Sequence, residues 1–255
     1  MTHLLPSLSV VLPCYDEAPN VAAAVYDARI AAGASALRHE VIVVDDGSTD
    51  QTATIAAMLA ATFPEVRLVR HDRNRGYGAA VRTGIDASTG DWVLLTDGDR
   101  QFDLNELPRL VAAGARAGGA DLVVGYRIAR ADPAFRRLSA AAWNRLMRAS
   151  FGVGVRDVDC AFKLVRGDAV RELPLESDGA MISTELLVRA RLASWRLAEV
   201  GVTHRPRTAG SPTGGDPRVI LRAFGERRAL RRRLREQAAR DASPAGTPAA
   251  RAALS

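Results

Sequence analysis

Cysteine is scarce in this chain, with only Cys14 and Cys160 among 255 residues. Two cysteines without paired spacing exclude a disulfide framework and a cysteine-based zinc site, which fits a reducing compartment. No charged segment precedes an apolar stretch near the N-terminus, and no run approaches the roughly 20 apolar residues that a membrane span needs. We therefore expect a cytoplasmic protein that is at most peripheral to the cytoplasmic face of a membrane.

Lysine is almost absent, because 34 of the 35 basic side chains are arginine and Lys163 is the single lysine. The formal net charge is +6. This arginine bias follows from a GC-rich coding sequence as readily as from phosphate binding, so it decides nothing alone. With 47% hydrophobic and 25% charged residues, the composition is that of a soluble globular protein with a substantial core.

Three common enzyme signatures are also missing. The chain has no GxxxxGK[ST] phosphate loop, which disfavours a P-loop nucleotidase. Gly76-Tyr77-Gly78 begins like a dinucleotide fingerprint, but the third glycine position is Val81 and the loop follows a later strand, which disfavours a Rossmann dehydrogenase. No Gly-x-Ser-x-Gly elbow occurs, so nothing indicates covalent catalysis.

What the chain does contain is a regular alternation of short apolar runs and helical segments. The predicted strands cover residues 8–13, 41–44, 66–70, 92–95, 121–126, 160–165 and 195–204. The predicted helices cover residues 18–32, 51–62, 79–88, 104–117, 134–150, 181–193 and 218–240. This alternation predicts βαβ units and an α/β fold with a mostly parallel sheet.

Acidic residues close three of the predicted strands. Asp16 and Glu17 follow the first, Asp45-Asp46 the second, and the Asp97-Gly98-Asp99 turn the fourth. Parallel strands bring these clusters to one edge of the sheet, where ligands bind in open α/β sheets. Closely spaced carboxylates favour Mg²⁺ or Mn²⁺, particularly when substrate phosphates complete the coordination shell. The alternative for each cluster is an ordinary solvated turn or helix cap.

Four strings occur in order: VVLPCYDEAPN (10–20), VIVVDDGSTD (41–50), RNRGYGAAVRTG (73–84) and LLTDGDRQFD (94–103). Together they resemble the inverting nucleotide-sugar glycosyltransferases of family 2, which have a GT-A fold with a Rossmann-like sheet. The closer resemblance is to the branch with dolichyl-phosphate mannosyltransferase and bacterial polyprenyl-phosphate glycosyltransferases. In that branch the metal motif reads Asp-x-Asp-x-Gln, as in Asp97, Asp99 and Gln101. The specific motifs cover about residues 8–166.

The resemblance implies a set of site residues. The metal, Mg²⁺ or Mn²⁺, would be held against the donor diphosphate by Asp97, Asp99 and Gln101. Residues implied to line the nucleotide-sugar pocket are Pro13, Tyr15, Glu17, Asp46, Gly76, Gly78 and Asp97.

Further side chains are candidates for phosphate binding or catalysis. Arg127, Arg137 and Lys163 are candidates for gripping a phosphate, since guanidinium forks suit phosphate oxygens. Glu185 is the best candidate for a base if the acceptor is a hydroxyl group. A lipid phosphate needs no such base, because its second pKa is about 6 and its oxygen is already largely ionised. Both acceptor types stay open at this point.

The expected function is transfer of one hexose from a GDP-mannose or UDP-glucose type donor to a polyprenyl phosphate. Alternatives are transfer to a hydroxyl acceptor with Glu185 as base, and non-catalytic binding of nucleic acid or membrane through arginines. No specific nucleic-acid partner is expected, because aromatic residues do not alternate with the basic ones.

The expected organisation is a GT-A domain at residues 1–210, a basic amphipathic helix at 211–240 and a disordered tail at 241–255. The basic helix suits an anionic membrane surface, and the alternative is a helix packed on the domain with a solvated basic face. The loop before it, 204–210, resembles a mobile segment of the family.

Overall fold

The computed structural model describes residues 4–115, 119–130, 134–207 and 217–241. The chain divides into two compact units, Met1–Pro212 and Thr213–Ser255. Residues 208–210 of the segment predicted to be mobile (204–210) lie outside the described residues, as do all but one residue of the predicted disordered tail and the side chain of Arg137.

One mixed sheet forms the centre of the first unit. Its strands in the described residues are β1 (Leu5–Cys14), β2 (Ala36–Asp45), β3 (Val66–Arg70), β4 (Trp92–Leu95), β5 (Leu122–Arg130), β6 (Lys163–Arg166) and β7 (Leu197–His204). Their order across the sheet is β3-β2-β1-β4-β6-β5-β7. Only β6 among them runs antiparallel to its neighbours. The predicted α/β fold with a mostly parallel sheet is therefore confirmed.

Helices connect the strands and cover the sheet. They are α1 (Ala18–Gly33), α2 (Thr52–Thr62), α3 (Tyr77–Ala87), α4 (Leu107–Gly114), α5 (Ala134–Phe151), α6 (Gly167–Glu172) and α7 (Ile182–Leu192), with α8 (Pro217–Asp241) in the second unit. Proline lies in the first turn of α1 and of α4, where its missing N–H group costs no helical hydrogen bond. Helix α6 was not predicted, because six residues are too few to show a helical period.

The apolar runs in the sequence are the central strands. Val41, Ile42, Val43 and Val44 of β2 are each fully buried. Such a continuous run is typical of a strand whose two faces are both covered by other elements. This burial fixes the register of the sheet and therefore the positions of the residues at its carboxyl edge.

The order of the strands reverses beside β1. The chain proceeds from β1 outward to β2 and β3, and it then returns to place β4 on the other side of β1. In doubly wound sheets, ligands bind in the crevice outside the strand ends at this reversal. Here the segments at the reversal are Tyr15–Glu17 after β1 and Asp97–Asp99 after β4.

Helix α8 is rich in arginine, with nine arginines against three acidic residues over 217–241. Two ion pairs link successive turns, Arg222 Nε to a Glu226 oxygen at 3.0 Å and Arg232 Nε to a Glu236 oxygen at 3.7 Å. Such i,i+4 pairs support a solvated helix. Across the described part of the chain, no helix combines the length and apolar character that spanning a membrane requires.

Candidate active site

The carboxyl ends of β1 and β4 lie side by side and form the candidate site. The two strands pair in parallel, with Val11 opposite Leu95. Gly98 packs against the end of β1, where an added Cβ atom would lie 2.6 Å from the Cys14 sulfur. A larger residue at position 98 would push the loop away from β1. The glycine between the two aspartates therefore brings both carboxylates to this edge.

Asp97 and Asp99 carry charge in a mostly buried environment. Asp99 is 8% exposed, and the Asp97 Oδ1 atom is buried with no hydrogen-bond partner in the described structure. Burial and repulsion by Asp99 raise the pKa of Asp97 to about 7. An ionised, unpaired carboxylate oxygen beside a second carboxylate is unfavourable unless one carboxylate takes up a proton or a cation binds both.

The two aspartates fit a divalent cation that is completed by a ligand. Within the described ranges, no group of three or more His, Cys, Asp or Glu side chains is arranged to hold a metal. A cation at Asp97 and Asp99 would therefore take further oxygens from phosphates and water, as Mg²⁺ usually does. The Gln101 amide nitrogen donates to the Arg205 carbonyl oxygen at 3.1 Å, so only its amide oxygen could bind a metal. Its role as a ligand stays a prediction.

Glu17 lies close to the loop after β4, residues 97–103, which we call the metal loop, and its carboxylate is paired with other side chains. Its Oε2 atom accepts a hydrogen bond from Asn20 Nδ2 at 2.6 Å, and its Oε1 atom pairs with the guanidinium group of Arg207. The same guanidinium lies 3.5 Å from Asp99 Oδ2. Arg207 therefore links the ends of β1 and β4. Arg207 was not predicted as a site residue, because one arginine in a loop does not stand out in an arginine-rich sequence.

The segment after β1 presents an aromatic ring at the edge. Tyr15 is 42% exposed, and Pro13 before it is half-buried. Asp16 adopts a left-handed backbone conformation (φ 53°), and its Oδ1 atom accepts a hydrogen bond from the Thr49 backbone at 2.7 Å. This contact holds the turns after β1 and β2 together. The nucleotide pocket implied by these residues stays a prediction.

The Asp46 carboxylate forms several hydrogen bonds within the chain. Its Oδ1 atom lies 2.6 Å from His71 Nδ1 and accepts the Arg75 backbone N–H at 2.9 Å, while Oδ2 accepts the Gly76 N–H at 2.8 Å. Gly76 has a φ of 105°, a backbone angle that residues other than glycine rarely adopt. The geometry assigns Asp46 to holding the loop after β3, so any contact with a nucleotide would come in addition to these bonds.

Gly78 faces a loop of the protein. Its N–H group donates to the Asp178 carbonyl oxygen at 2.8 Å, and an added Cβ atom would lie 2.3 Å from the Ser177 carbonyl oxygen. The need for glycine at this position is therefore explained by the loop before α7. The predicted close approach of Gly78 to the donor has no independent support in this geometry.

Arg127 and Lys163 lie in a network of buried charges behind the metal loop. Arg127 forms a two-pronged ion pair with Asp157, Nε to Oδ2 at 2.6 Å and Nη2 to Oδ1 at 2.8 Å. The Lys163 amine donates to the carbonyl oxygens of Val158, at 3.3 Å, and of Cys160. Burial lowers the pKa of Lys163, which is 1% exposed. Both side chains already bind partners within the protein, so phosphate contacts by either residue stay a prediction.

Glu185 has the partners of a structural residue. Its side chain is fully buried, and its Oε2 atom accepts the backbone N–H groups of Glu176 at 3.1 Å and Ser177 at 2.7 Å. Arg189 Nε donates to Oε1 at 2.9 Å. Burial alone would raise the pKa of Glu185, but these hydrogen bonds lower it below its usual value. A group that holds its charge this firmly is a poor proton acceptor.

Tyr77 is a second residue without an assigned role in the sequence analysis. Its side chain forms a hydrogen bond with Asp97, and burial raises its own pKa well above the usual value. The neutral phenol of Tyr77, the first residue of α3, therefore interacts with the Asp97 carboxylate of the metal loop. The only sequence signal for this contact was the position of Tyr77 inside the Gly-Tyr-Gly string.

Comparisons with known proteins connect this site to one family. The family model for glycosyl transferase family 2 matches residues 9–173. An uncharacterized glycosyltransferase of Mycobacterium tuberculosis is 36% identical over 207 residues, which cover 80% of this chain and 88% of that protein.

Two further relatives are named for lipid phosphates. A dodecaprenyl-phosphate galacturonate synthase of Rhizobium johnstonii is 33% identical over 217 residues, covering 84% of this chain and 63% of that protein. An undecaprenyl-phosphate 4-deoxy-4-formamido-L-arabinose transferase of Pectobacterium carotovorum is 30% identical over 214 residues, covering 81% and 62%. The chain thus spans less than two thirds of the length of these two proteins.

Solved structures share the fold. Glucosyl-3-phosphoglycerate synthase of Mycobacterium tuberculosis with UDP matches with a TM-score of 0.69 at 21% identity, over 89% of this chain and 80% of that chain. The same enzyme with Mn²⁺, UDP and glucosyl-3-phosphoglycerate gives a TM-score of 0.66 at 22% identity, over 88% and 77%. This likeness establishes the architecture, which is the predicted GT-A fold.

Proposed function

The chain belongs to glycosyl transferase family 2, and from this premise we propose that it moves one hexose from a nucleotide diphosphate sugar to a polyprenyl phosphate. The observation that carries the proposal is the Asp97 and Asp99 pair at the strand reversal, with an unpaired buried oxygen on Asp97. Relatives named for dodecaprenyl and undecaprenyl phosphate support the choice of acceptor.

The donor half of the proposal uses the edge formed by β1 and β4. The exposed ring of Tyr15 offers a surface for a nucleotide base, and Asp97 and Asp99 would hold Mg²⁺ or Mn²⁺ against the diphosphate. A divalent cation there supplies neutralisation of the charge that develops on the departing nucleoside diphosphate. The donor is of the GDP-mannose or UDP-glucose type, since both nucleotides suit these residues.

The reaction is a displacement with inversion at the anomeric carbon. An oxygen of the acceptor phosphate forms the new bond to this carbon, while the bond to the donor diphosphate breaks and its electron pair leaves with the nucleoside diphosphate. The acceptor oxygen is already ionised near neutral pH, so no protein base has to remove a proton. The protein instead holds both phosphates in line with each other.

The partners of Glu185 favour this acceptor over a hydroxyl group. A hydroxyl acceptor would require a base, and Glu185 was the candidate. Its two oxygens are occupied by the backbone of the loop before α7 and by Arg189. Since a phosphate acceptor needs no base, the proposal agrees with a site in which this carboxylate is structural.

The acceptor class is tested by transfer of labelled sugar. Purified protein with Mn²⁺ is incubated with radiolabelled UDP-glucose or GDP-mannose, and with undecaprenyl phosphate or undecaprenol as matched acceptors. We expect label to enter the organic phase only with the phosphate, because the alcohol lacks an ionised nucleophile. Equal labelling of the alcohol, or labelling of a hydroxyl acceptor alone, would contradict the lipid-phosphate proposal.

The basic helix α8 is proposed to bind the membrane that holds such an acceptor. Each arginine near an anionic surface contributes about 1 kcal/mol, so nine arginines suffice for peripheral binding. We expect sedimentation with phosphatidylglycerol vesicles and little with phosphatidylcholine vesicles. Changing Arg231, Arg232 and Arg235 to glutamine should weaken this binding roughly 10- to 100-fold.

A matched variant separates the role of α8 in vesicle binding from the effect of lowering the net positive charge of the whole protein. Changing the exposed Arg38, Arg109 and Arg166 to glutamine removes the same charge from the first unit. This control should keep vesicle binding within about threefold of the unchanged protein. Equal losses in the two triple variants would show that α8 is not the membrane-binding element.

A further inference from the structure

The segment after β7 is fixed to the metal loop by backbone contacts. Phe102 and His204 form an isolated antiparallel bridge, and the Arg205 N–H donates to the Gln101 carbonyl oxygen at 2.7 Å. The Gln101 side chain returns a hydrogen bond to the Arg205 carbonyl oxygen at 3.1 Å. An ion pair between Arg205 and Asp103 adds a further link. These contacts fix the backbone just before Arg207.

Arg207 uses this position to contact carboxylates from two strand ends. Its Nη2 atom pairs with Oε1 of Glu17, the residue that lies after β1. Its Nη1 atom lies 3.5 Å from Oδ2 of Asp99, in the loop after β4. The side chains of Arg207, Glu17 and Asp99 are 20%, 11% and 11% exposed. The guanidinium group is therefore enclosed with the acidic side chains.

The position of Arg207 offsets repulsion among carboxylates in the protein without bound metal. Glu17 and Asp99 meet at one edge with Asp97 nearby, and carboxylates that are partly removed from water repel one another strongly. A positive group that contacts two of them offsets this repulsion. A divalent cation bound at Asp99 would offset the same repulsion, and it would meet a guanidinium group already in contact with one of its ligands.

We propose that Arg207 is an internal counter-ion of the metal site, which competes with the divalent cation for Asp99 until a nucleotide diphosphate binds. The proposal rests on the proposed function only in taking Asp99 as a cation ligand. The phosphate groups of a bound nucleotide offer the guanidinium new partners. Cation and nucleotide then bind together, whereas the cation alone binds weakly.

Binding of Mn²⁺ alone gives the direct test. The free Mn²⁺ signal in electron paramagnetic resonance measures Kd for the unchanged protein, for Arg207→Gln and for Arg207→Lys. We expect Arg207→Gln to bind bare Mn²⁺ at least about fivefold more tightly, because the competing charge is gone. Arg207→Lys keeps the charge and should stay within about twofold of the unchanged protein.

Arg205→Gln is the matched control, since it removes a nearby arginine's charge and its ion pair with Asp103. The contacts that position Arg207 through the backbone of residues 204 and 205 remain in this variant. It should leave the Kd for bare Mn²⁺ within about twofold of the unchanged protein. Thermal unfolding provides a second readout: the metal-free Arg207→Gln protein should have a lower Tm, and saturating Mn²⁺ should raise its Tm more than that of the unchanged protein.

Titration with UDP and with GDP, each with and without Mn²⁺, separates the outcomes. We expect Mn²⁺ to strengthen nucleotide binding less in Arg207→Gln than in the unchanged protein. An unchanged bare-Mn²⁺ Kd in Arg207→Gln, with Mn²⁺-dependent nucleotide binding intact and lost in Asp99→Ala, would overturn the counter-ion role and leave the proposed function standing. Absence of Mn²⁺-dependent binding of both nucleotides to the unchanged protein would overturn both.

Discussion

Changing Asp99 to alanine is expected to lower kcat/KM for sugar transfer by at least about 1,000-fold. A metal ion contributes several kcal/mol of transition-state stabilisation to such reactions, and each 1.36 kcal/mol is about tenfold in rate. Asp99 is mostly buried beside Asp97, so its loss removes one of two proposed protein carboxylates for the cation. Initial rates of label transfer at several donor concentrations measure the effect.

Two controls show whether the lost activity is loss of the metal. Chelation with EDTA should reduce the unchanged enzyme to a similar level, while Asp99→Ala should respond little to EDTA or to restored Mn²⁺. Asp72→Ala removes an exposed carboxylate from the loop after β3, at the same edge of the sheet. It should keep kcat/KM within about threefold. An Asp99→Ala enzyme with near-normal, Mn²⁺-dependent transfer would refute the assignment.

Changing Glu185 to glutamine is expected to destabilise the protein by about 3–5 kcal/mol, the usual cost of breaking a buried ion pair from one side. The change removes the charge that binds Arg189 and weakens two hydrogen bonds to the loop before α7. For a chain of this size the Tm should fall by roughly 10 °C. Denaturant unfolding and calorimetry measure these changes.

Kinetics of the same variant distinguish a structural carboxylate from a base. At a temperature where Glu185→Gln is folded, we expect kcat within about threefold of the unchanged enzyme and the same pH profile. Loss of a general base would instead lower kcat by about 100- to 10,000-fold. Such a loss in a folded, stable variant would revive the hydroxyl-acceptor hypothesis.

The pH dependence of stability follows from the lowered pKa of Glu185. Because the folded pKa lies below the usual value of 4.5, the folded state favours the ionised form and the unfolded chain takes up protons first as the pH falls. The stabilisation is complete above about pH 4.5 and is lost as the pH falls through the folded pKa. The difference in stability between the unchanged protein and Glu185→Gln should therefore shrink in acid.

The sequence determined the elements and the edge at which the acidic residues lie. Strand segments such as 41–44 are recognisable because a strand covered on both faces needs an unbroken apolar run. A strand that ends in Asp-Gly-Asp delivers carboxylates to the carboxyl edge wherever it lies in a parallel sheet. The four family strings predicted the GT-A fold because each of them spans a strand end or the start of a helix beside the carboxyl edge of the sheet.

Tertiary structure alone decided what these side chains contact. The sequence made Asp46 a candidate for the nucleotide pocket and Glu185 a candidate base. Their partners instead come from loops 25 or more residues away for Asp46 and about nine residues away for Glu185. Arg207 reaches Glu17 across 190 positions of sequence. Hydrogen bonding depends on distances of a few ångströms between groups that only the folded chain brings together. A local pattern therefore places a charge at an edge, while the packing of distant loops decides whether that charge binds the protein or a ligand.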